Sequence, residues 1–379
     1  MKPSVKRAVC LNAILCAGLT FTQLASAQAT SPNAYVYVIS NPSTNNYQLN
    51  GYRADSTGAL TPLAGSPFWK TSKTLVALAN TAHWLFVSDG NFIYSFSIAS
   101  NGSLKQVSSV DAGEHYGIPG GLAGDPVVLD HTGSTLYAAT VDGTGDNEFL
   151  FFNKNSTTGA LTFFGSTGFD ISFGPLAFTG NNLFAYGFGC FQDESHAYGF
   201  RRSSDGTLTR LNLQFTVPTL PNGDYCQDKG ATFPANNLVV AMYPETTTSA
   251  PGPPAALAVY TADSSGNLST NSTSQNMPTT AAGMLRDMTA SPAGNLLAIA
   301  GSSGLQIFRL NGNNPITPYT GLLAVHSISQ VLWDTHDHLY GISASGRLYA
   351  FKITATGHKQ AVGSPYSITN PQAITVLSK

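Results

Sequence analysis

Apolar residues in this chain come in short runs of about five, separated by polar or glycine-bearing turns. Within residues 74–107 the runs are 74–78, 84–88, 92–98 and 103–107, parted by turns at 80–83, 89–91 and 99–102. Val, Phe, Tyr and Ile fill the runs, and Asn, Asp, Gly and Ser break them. Runs of that length and composition predict antiparallel strands joined by tight turns, so the stretch reads as one four-stranded meander.

The meander repeats. Its third-to-fourth turn is Ser56-Thr57-Gly58-Ala59-Leu60, then Ser100-Asn101-Gly102-Ser103-Leu104, Thr157-Thr158-Gly159-Ala160-Leu161, Ser204-Asp205-Gly206-Thr207-Leu208 and Ser264-Ser265-Gly266-Asn267-Leu268. Degraded copies stand at Asn311-Gly312 and Thr356-Gly357, and the seven glycines are spaced by 44, 57, 47, 60, 46 and 45 residues. Glycine suits a turn that needs positive φ, and the leucine two residues on returns to the packed face. Second strands are expected at 35–39, 84–88, 136–140, 183–187, 238–243, 296–300 and 339–343. Seven four-stranded units at this period predict an all-β, seven-bladed β-propeller. The chain opens on a second-strand sequence, Tyr35-Val36-Tyr37-Val38, and finishes on a first-strand sequence, Ala373-Ile374-Thr375-Val376-Leu377. Each end supplies what the other lacks, so the N- and C-terminal strands are expected to pair and close the ring, removing two sheet edges.

Residues 1–27 read differently. Lys2, Lys6 and Arg7 precede an apolar stretch, and Ala25-Ser26-Ala27 fits a cleavage site, so this segment is expected to be a secretory signal peptide. The stretch is too short and interrupted for a membrane span. Residues 28–379 are then one propeller domain, secreted or periplasmic, with 15 Lys and Arg against 20 Asp and Glu, a formal charge of −5. That balance excludes a nucleic-acid binder, which needs a basic face. Cys190 and Cys226 remain after the leader is removed. Both fall on the face that carries the second-to-third-strand loops, where a disulfide is the natural reading in an oxidising compartment and two separate thiols the alternative. The same face collects the insertions 142–147, 188–194 and 244–254, the last containing Pro251-Gly252-Pro253-Pro254. Loops on a rigid scaffold are where binding sites arise, so function is expected there, with a small molecule or a protein as ligand and a monomer as the species.

First strands of a propeller line its channel, and their entry residues sit at its mouth. The polar entries are Lys73, His115, Asp125, Asp228, Lys229, Arg286, Asp287 and His326. Acids, bases and histidines converging there could bind an anionic or hydroxylated small molecule; a histidine could act as general base while Arg or Lys stabilises an oxyanion. The alternative is that these charges pair with one another around a hydrated channel. His336-Asp337-His338 looks like a ligand triplet but falls in a first-to-second turn on the opposite face, where a polar turn is the simpler reading. No spacing for a metal, a nucleophile elbow or a phosphate-binding loop is present, and no cofactor is implied.

The Tyr35-Val36-Tyr37-Val38 strand, the repeated Thr-Gly-Ala-Leu-Thr turns, Ser291-Pro292-Ala293-Gly294 and the paired Gly65-Ser66-Pro67-Phe68 and Gly363-Ser364-Pro365-Tyr366 resemble the lactonase-type seven-bladed propellers, the 6-phosphogluconolactonase-like and YVTN-repeat proteins. The resemblance implies metal-free chemistry by His, Arg and acidic side chains at the channel mouth. The family's Gly-x-x-Pro-His-type entry is replaced here by Gly121-Leu122-Ala123-Gly124-Asp125-Pro126 and Gly283-Met284-Leu285-Arg286-Asp287. Two functions follow as expectations: an exported binding or scaffold propeller, or a metal-independent lactone hydrolase using some of His115, Asp125, Lys229, Arg286 and His326.

Overall fold

The third-to-fourth turns form as their residues dictate. Asp55 Oδ1 accepts from the backbone N–H groups of Thr57 and Ala59, Asn155 Oδ1 from those of Thr157 and Thr158, and Asp263 Oδ1 from those of Ser265 and Asn267. These side chains stand in for backbone in the turn, and glycine completes it in the left-handed region. Gly58, Gly102, Gly159, Gly206, Gly266 and Gly312 all have φ between 66° and 97°. Gly357 departs from the pattern: it begins the outer strand Gly357–Gln360 without positive φ.

A computed structural model describes residues 31–115, 127–141, 147–169, 175–191, 194–246, 252 and 254–379. The segment 1–27, read as a leader, lies outside them. The described strands form seven antiparallel sheets, each beginning with four strands in meander order. The innermost strands are Ala77–Asn80, Val127–Leu129, Ala177–Phe178, Gly223–Phe233, Leu285–Ala290, Gln330–Trp333 and Pro371–Ser378, in blades 2 to 7 and then blade 1. The last of these belongs to the sheet of the first residues. Pro371–Ser378 pairs with Ala34–Ser43 in the register Tyr35 to Leu377, Tyr37 to Thr375 and Ile39 to Ala373, so the terminal strands close the ring as expected. The outer strand of blade 1 is followed by Trp69–Thr71 and that of blade 7 by Tyr366–Ser367, each also paired with its third strand. Both are reached through the Gly-Ser-Pro turns, whose Ser66–Pro67 and Ser364–Pro365 bonds are cis.

Second strands read as unbroken apolar runs because they are covered on both faces by neighbouring blades. Every residue of Leu296–Gly301 and His338–Ser343 is buried. Their aromatic residues also reach across to the next blade. Tyr37 Oη donates to Gly102 O at 2.8 Å, Tyr137 Oη to Gly206 O at 2.6 Å and Tyr186 Oη to Gly266 O at 2.8 Å. The hairpin glycine of one blade is thus held by the preceding blade's second strand. A Cβ on Gly102 would lie 2.7 Å from Tyr35, and one on Gly159 only 2.3 Å from Trp84, so these glycines are required for contact as well as for φ.

Three sequence expectations shift by a few residues. The inner strand of blade 2, read at 74–78, pairs instead over Ala77–Asn80, because Ser88 already ends the second strand opposite Ala77. In blade 4 the insertion is strand rather than loop: Phe184–Phe191 and Glu194–Arg202 pair as far as Phe191 with Glu194. Blade 5 likewise extends its second strand to Thr246, leaving Gly252 and Pro254 as the described part of the Pro-rich loop.

The glycine contacts predict opposite outcomes for two like substitutions. Gly102→Ala strains a φ of 82° and drives a methyl into Tyr35, and should cost about 2 kcal/mol or more. Gly357→Ala has no positive φ and nothing within 4 Å, and should change stability by less than about 0.5 kcal/mol. Urea midpoints at constant m-value decide it; equal losses would refute the contact argument.

Candidate functional site at the channel mouth

The inner strands of blades 5 and 6 share an irregularity. In Gly223–Phe233 the register with the second strand shifts between Gln227 and Lys229, leaving Asp228 as the extra residue. In Leu285–Ala290 it shifts between Leu285 and Asp287, leaving Arg286 as the extra residue. A bulge re-aims side chains and is common beside functional sites. Here two adjacent inner strands each bulge at a charged residue, Asp228 midway along its strand and Arg286 at the start of the next.

The charges interact across the two blades. Lys229 Nζ lies 3.9 Å from Asp228 Oδ1, with both side chains partly accessible. Asp287 accepts from Val331 N–H of blade 7 through Oδ2 and from Met288 N–H through Oδ1, each at 2.9 Å. Loss of solvent around Asp287 raises its carboxyl to about 6, against the opposing pull of Val331 N–H, Lys229 and Met288 N–H. Asp228 is also raised, by burial, with Lys229 opposing. Tyr243, at the end of blade 5's second strand, accepts from Leu285 N–H at 2.6 Å. Burial pushes its hydroxyl up to about 12, with Leu285 N–H and Arg286 opposing and Asp228 reinforcing. Arg286 itself is exposed. The mouth therefore offers two cations for an anionic group and a carboxyl that exchanges a proton near neutrality.

Of the five residues singled out from the sequence, the structure brings Lys229 and Arg286 into this group. His326 is exposed in the linker entering blade 7. His115 ends the short 3-10 turn Gly113–His115 and stacks on Phe163 at 3.7 Å, with Phe152 at its edge. Phe152 and Phe163 belong to the third and outer strands of blade 3, so His115 packs away from the channel wall. Asp125 lies outside the described residues. Asp287 and Tyr243 complete the group; Asp287 was readable as a charged strand entry, whereas Tyr243 sits in an apolar second strand and gave no sign. The His336-Asp337-His338 triplet is a turn with Asp337 at φ 64°. His338 is fully buried, its Nδ1 2.7 Å from Asp334 Oδ2 and its Nε2 3.3 Å from Ser56 O of blade 1. Among the described residues no three His, Cys, Asp or Glu gather closely enough to hold a metal ion.

Below the charged residues the channel holds a cavity of about 220 Å³ with a mixed lining, aliphatic at Val128, Ala231 and Ala290 and polar at His131, Thr232 and Thr289. It meets a second, of about 410 Å³, at His131, Thr232 and Ala290, toward the opposite face. A further cavity of about 500 Å³ lies elsewhere, between the blade 1 hairpin at Ser56 and the outer strand of blade 7. No described helix is long and apolar enough to cross a membrane.

No family model matches the chain, and no curated protein is similar to it. Solved structures are. A Bacteroides fragilis protein provisionally assigned as a 6-phosphogluconolactonase superposes with a TM-score of 0.66 at 12% identity, over 93% of this chain and 99% of its own. A Lactobacillus plantarum protein gives 0.63 at 14%, over 92% and 100%. A hypothetical selenium-binding protein from Sulfolobus tokodaii gives 0.61 at 9%, over 92% and 94%. At such identities the likeness shows the fold alone, a seven-bladed propeller.

The raised Asp287 carboxyl has a definite sign. Its proton is held more tightly in the folded chain than in the unfolded one, so Asp287 costs stability as pH rises from about 4 to about 6 and a constant amount above that. Asp287→Asn keeps an acceptor for Val331 N–H and removes the cost. The melting temperature of the variant relative to the parent should therefore rise by a few degrees between pH 4 and pH 7. A difference independent of pH would contradict the assignment.

Proposed function

We propose that this protein is an exported binding propeller that takes a small anionic, hydroxylated molecule at its channel mouth. The paired bulges carry this reading: they set Asp228 and Arg286 at matching irregularities of adjacent inner strands, with Lys229 and Asp287 coupled between them. A concave channel with a few convergent polar groups is a usual form of a small-molecule site. The ring-opened acids of sugar and simple γ-lactones are suitable probes. Calorimetric titration should give binding that survives chelator and weakens at least about tenfold in Arg286→Ala, as expected when a charged partner is lost. Equal affinity in parent and variant would rule out the mouth as the site.

One observation favours lactone hydrolysis as a second reading: Asp287 titrates near 6, where a carboxyl can pass a proton in either direction. Asp287 would accept a proton from the water that adds to the lactone carbonyl and return it to the ring oxygen as the ring C–O bond breaks. Arg286 would stabilise the oxyanion. Turnover of a lactone panel should then rise with pH to a plateau above about 6 and vanish in Asp287→Asn. Binding of the acids without turnover of the lactones leaves the binding propeller.

A Cys190–Cys226 bridge belongs to the same proposal. Cys226 is fully buried and is not a free thiol, and its strand packs beside that of Cys190. Reduction, or Cys190→Ser, should cost about 2–4 kcal/mol, and intact-mass measurement before and after alkylation under non-reducing conditions should find no free thiol in the oxidised protein.

A further inference from the structure

We propose that the groove at the ring-closing seam, between the outer strand of blade 7 and the third-to-fourth hairpin of blade 1, is a second ligand site, for an organic dianion held between Lys352 and Lys359. It is separate from the channel mouth and rests on different residues.

Strand pairing in blade 7 sets the charges. Its second, third and outer strands are His338–Ser343, Arg347–Thr354 and Gly357–Gln360. His338 stands opposite Lys352, and Lys352 opposite Lys359, so three basic residues form one row on one face of the sheet. That face is turned to blade 1. His338 Nε2 lies 3.3 Å from Ser56 O, and Lys352 Nζ donates to the same oxygen at 3.5 Å. Residues directly opposite in an antiparallel pair have Cβ atoms roughly 5 Å apart, and like charges there repel.

The carboxylates of the seam do not relieve the lysine pair. Asp334 accepts from the backbone N–H groups of His336 and His338, from Tyr340 Oη and at His338 Nδ1. Asp55 Oδ1 accepts from Thr57 and Ala59 of its own hairpin. Among the described residues no carboxylate forms an ion pair with Lys352 or Lys359, and both lysines are exposed. An anion seated between the two ammonium groups removes their repulsion, and a dianion matches both charges.

Room for an organic body lies beside the pair. The groove measures about 500 Å³, within the usual range of small-molecule sites, with Ser56 and Thr57 on the blade 1 side and Ala361 and Val362 on the other. Val362 is 73% exposed, apolar surface that a bound ring would remove from water. The two walls are already joined. Tyr366 Oη accepts from Leu60 N–H of blade 1 at 2.9 Å and donates to Val362 O at 2.7 Å. A groove held in this way spends little on ordering when a ligand enters.

Benzene-1,2-dicarboxylate is a suitable probe, with benzoate as the single-charge control, inorganic sulfate as the dianion without a body and benzyl alcohol as the uncharged control. Calorimetric titration of the intact protein at low ionic strength should place the dicarboxylate above benzoate by about threefold to fivefold, the factor expected from one further exposed ion pair. Added salt should shrink that difference. Lys359→Met should bring the dicarboxylate down to the level of benzoate, and Lys359→Arg should keep most of its affinity. Saturating dicarboxylate should raise the melting temperature of the parent and raise it less in Lys359→Met, since only the folded seam holds the ligand. Equal affinity for dicarboxylate and benzoate would overturn the paired-lysine contact, and sulfate held as tightly as the dicarboxylate would overturn the organic body. Binding kept in Lys352→Met and Lys359→Met but lost in Arg286→Ala would place the anion at the channel mouth and overturn the seam site. Binding of no probe would overturn it as well.

Discussion

The ring is held by a constraint at each blade boundary: something from one blade must satisfy and cover a backbone turn of the next. At the hairpin rim, Tyr37, Tyr137 and Tyr186 donate to hairpin glycine carbonyls, Trp84 covers Gly159, and His338 covers Gly58 while contacting Ser56 O. The rim clasp lapses where the repeat is degraded. A Cβ placed on Gly312 or Gly357 would meet nothing within 4 Å. There the clasp moves inward: Leu285 N–H to Tyr243, Val331 N–H to Asp287, Trp333 Nε1 to Thr289 O and Ile374 N–H to Gln330. The arc of blades 5 to 7 is therefore joined near the axis, by polar side chains that also border the channel. Asp287 serves both as a clasp and as the most perturbed carboxyl of the mouth, which explains how an aspartate persists in so enclosed a place.

The parts of the fold legible from sequence are those fixed by local chemistry. Positive-φ glycines, Asx turns and two-sided apolar strands each leave a mark within five or six residues, and seven marks give seven blades. Closure was legible because the two chain ends carry complementary strand types. What stayed hidden depends on register. Nothing in Cys226-Gln227-Asp228-Lys229 or Leu285-Arg286-Asp287 announces a bulge, since the extra residue is defined only by pairing with the second strand. His115 was misplaced for a related reason: whether a residue ending a linker turns toward the axis or back onto Phe163 is decided by packing, and the linker sequence does not contain it.

The electrostatic economy of the molecule gives the mouth its weight. Charged residues are 10% of the chain, and most of the perturbed carboxylates elsewhere serve turns. Burial works to raise Asp55, yet the hydrogen bonds of its own hairpin together hold it below the usual range; the hairpin bonds of Asp205 and Asp263 do the same for them. Asp228 and Asp287 shift the other way, because what surrounds them removes water without supplying enough donors. The fold alone says nothing of chemistry, since propellers host many functions. The unbalanced carboxyls at the channel mouth are what sets this part of the molecule apart.

Ring closure also sets an order of events. Ala34–Ser43 pairs on one side with Asn46–Ala54, twelve or so residues away, and on the other with Pro371–Ser378, more than three hundred residues on. During synthesis six blades can assemble from local hairpins while blade 1 stays without its innermost strand and presents Tyr35, Tyr37 and Ile39 on an open edge. The high sequence separation of this one contact makes it the slow, entropically costly step. Until it forms, blade 1 is the part of the molecule most open to pairing with another chain.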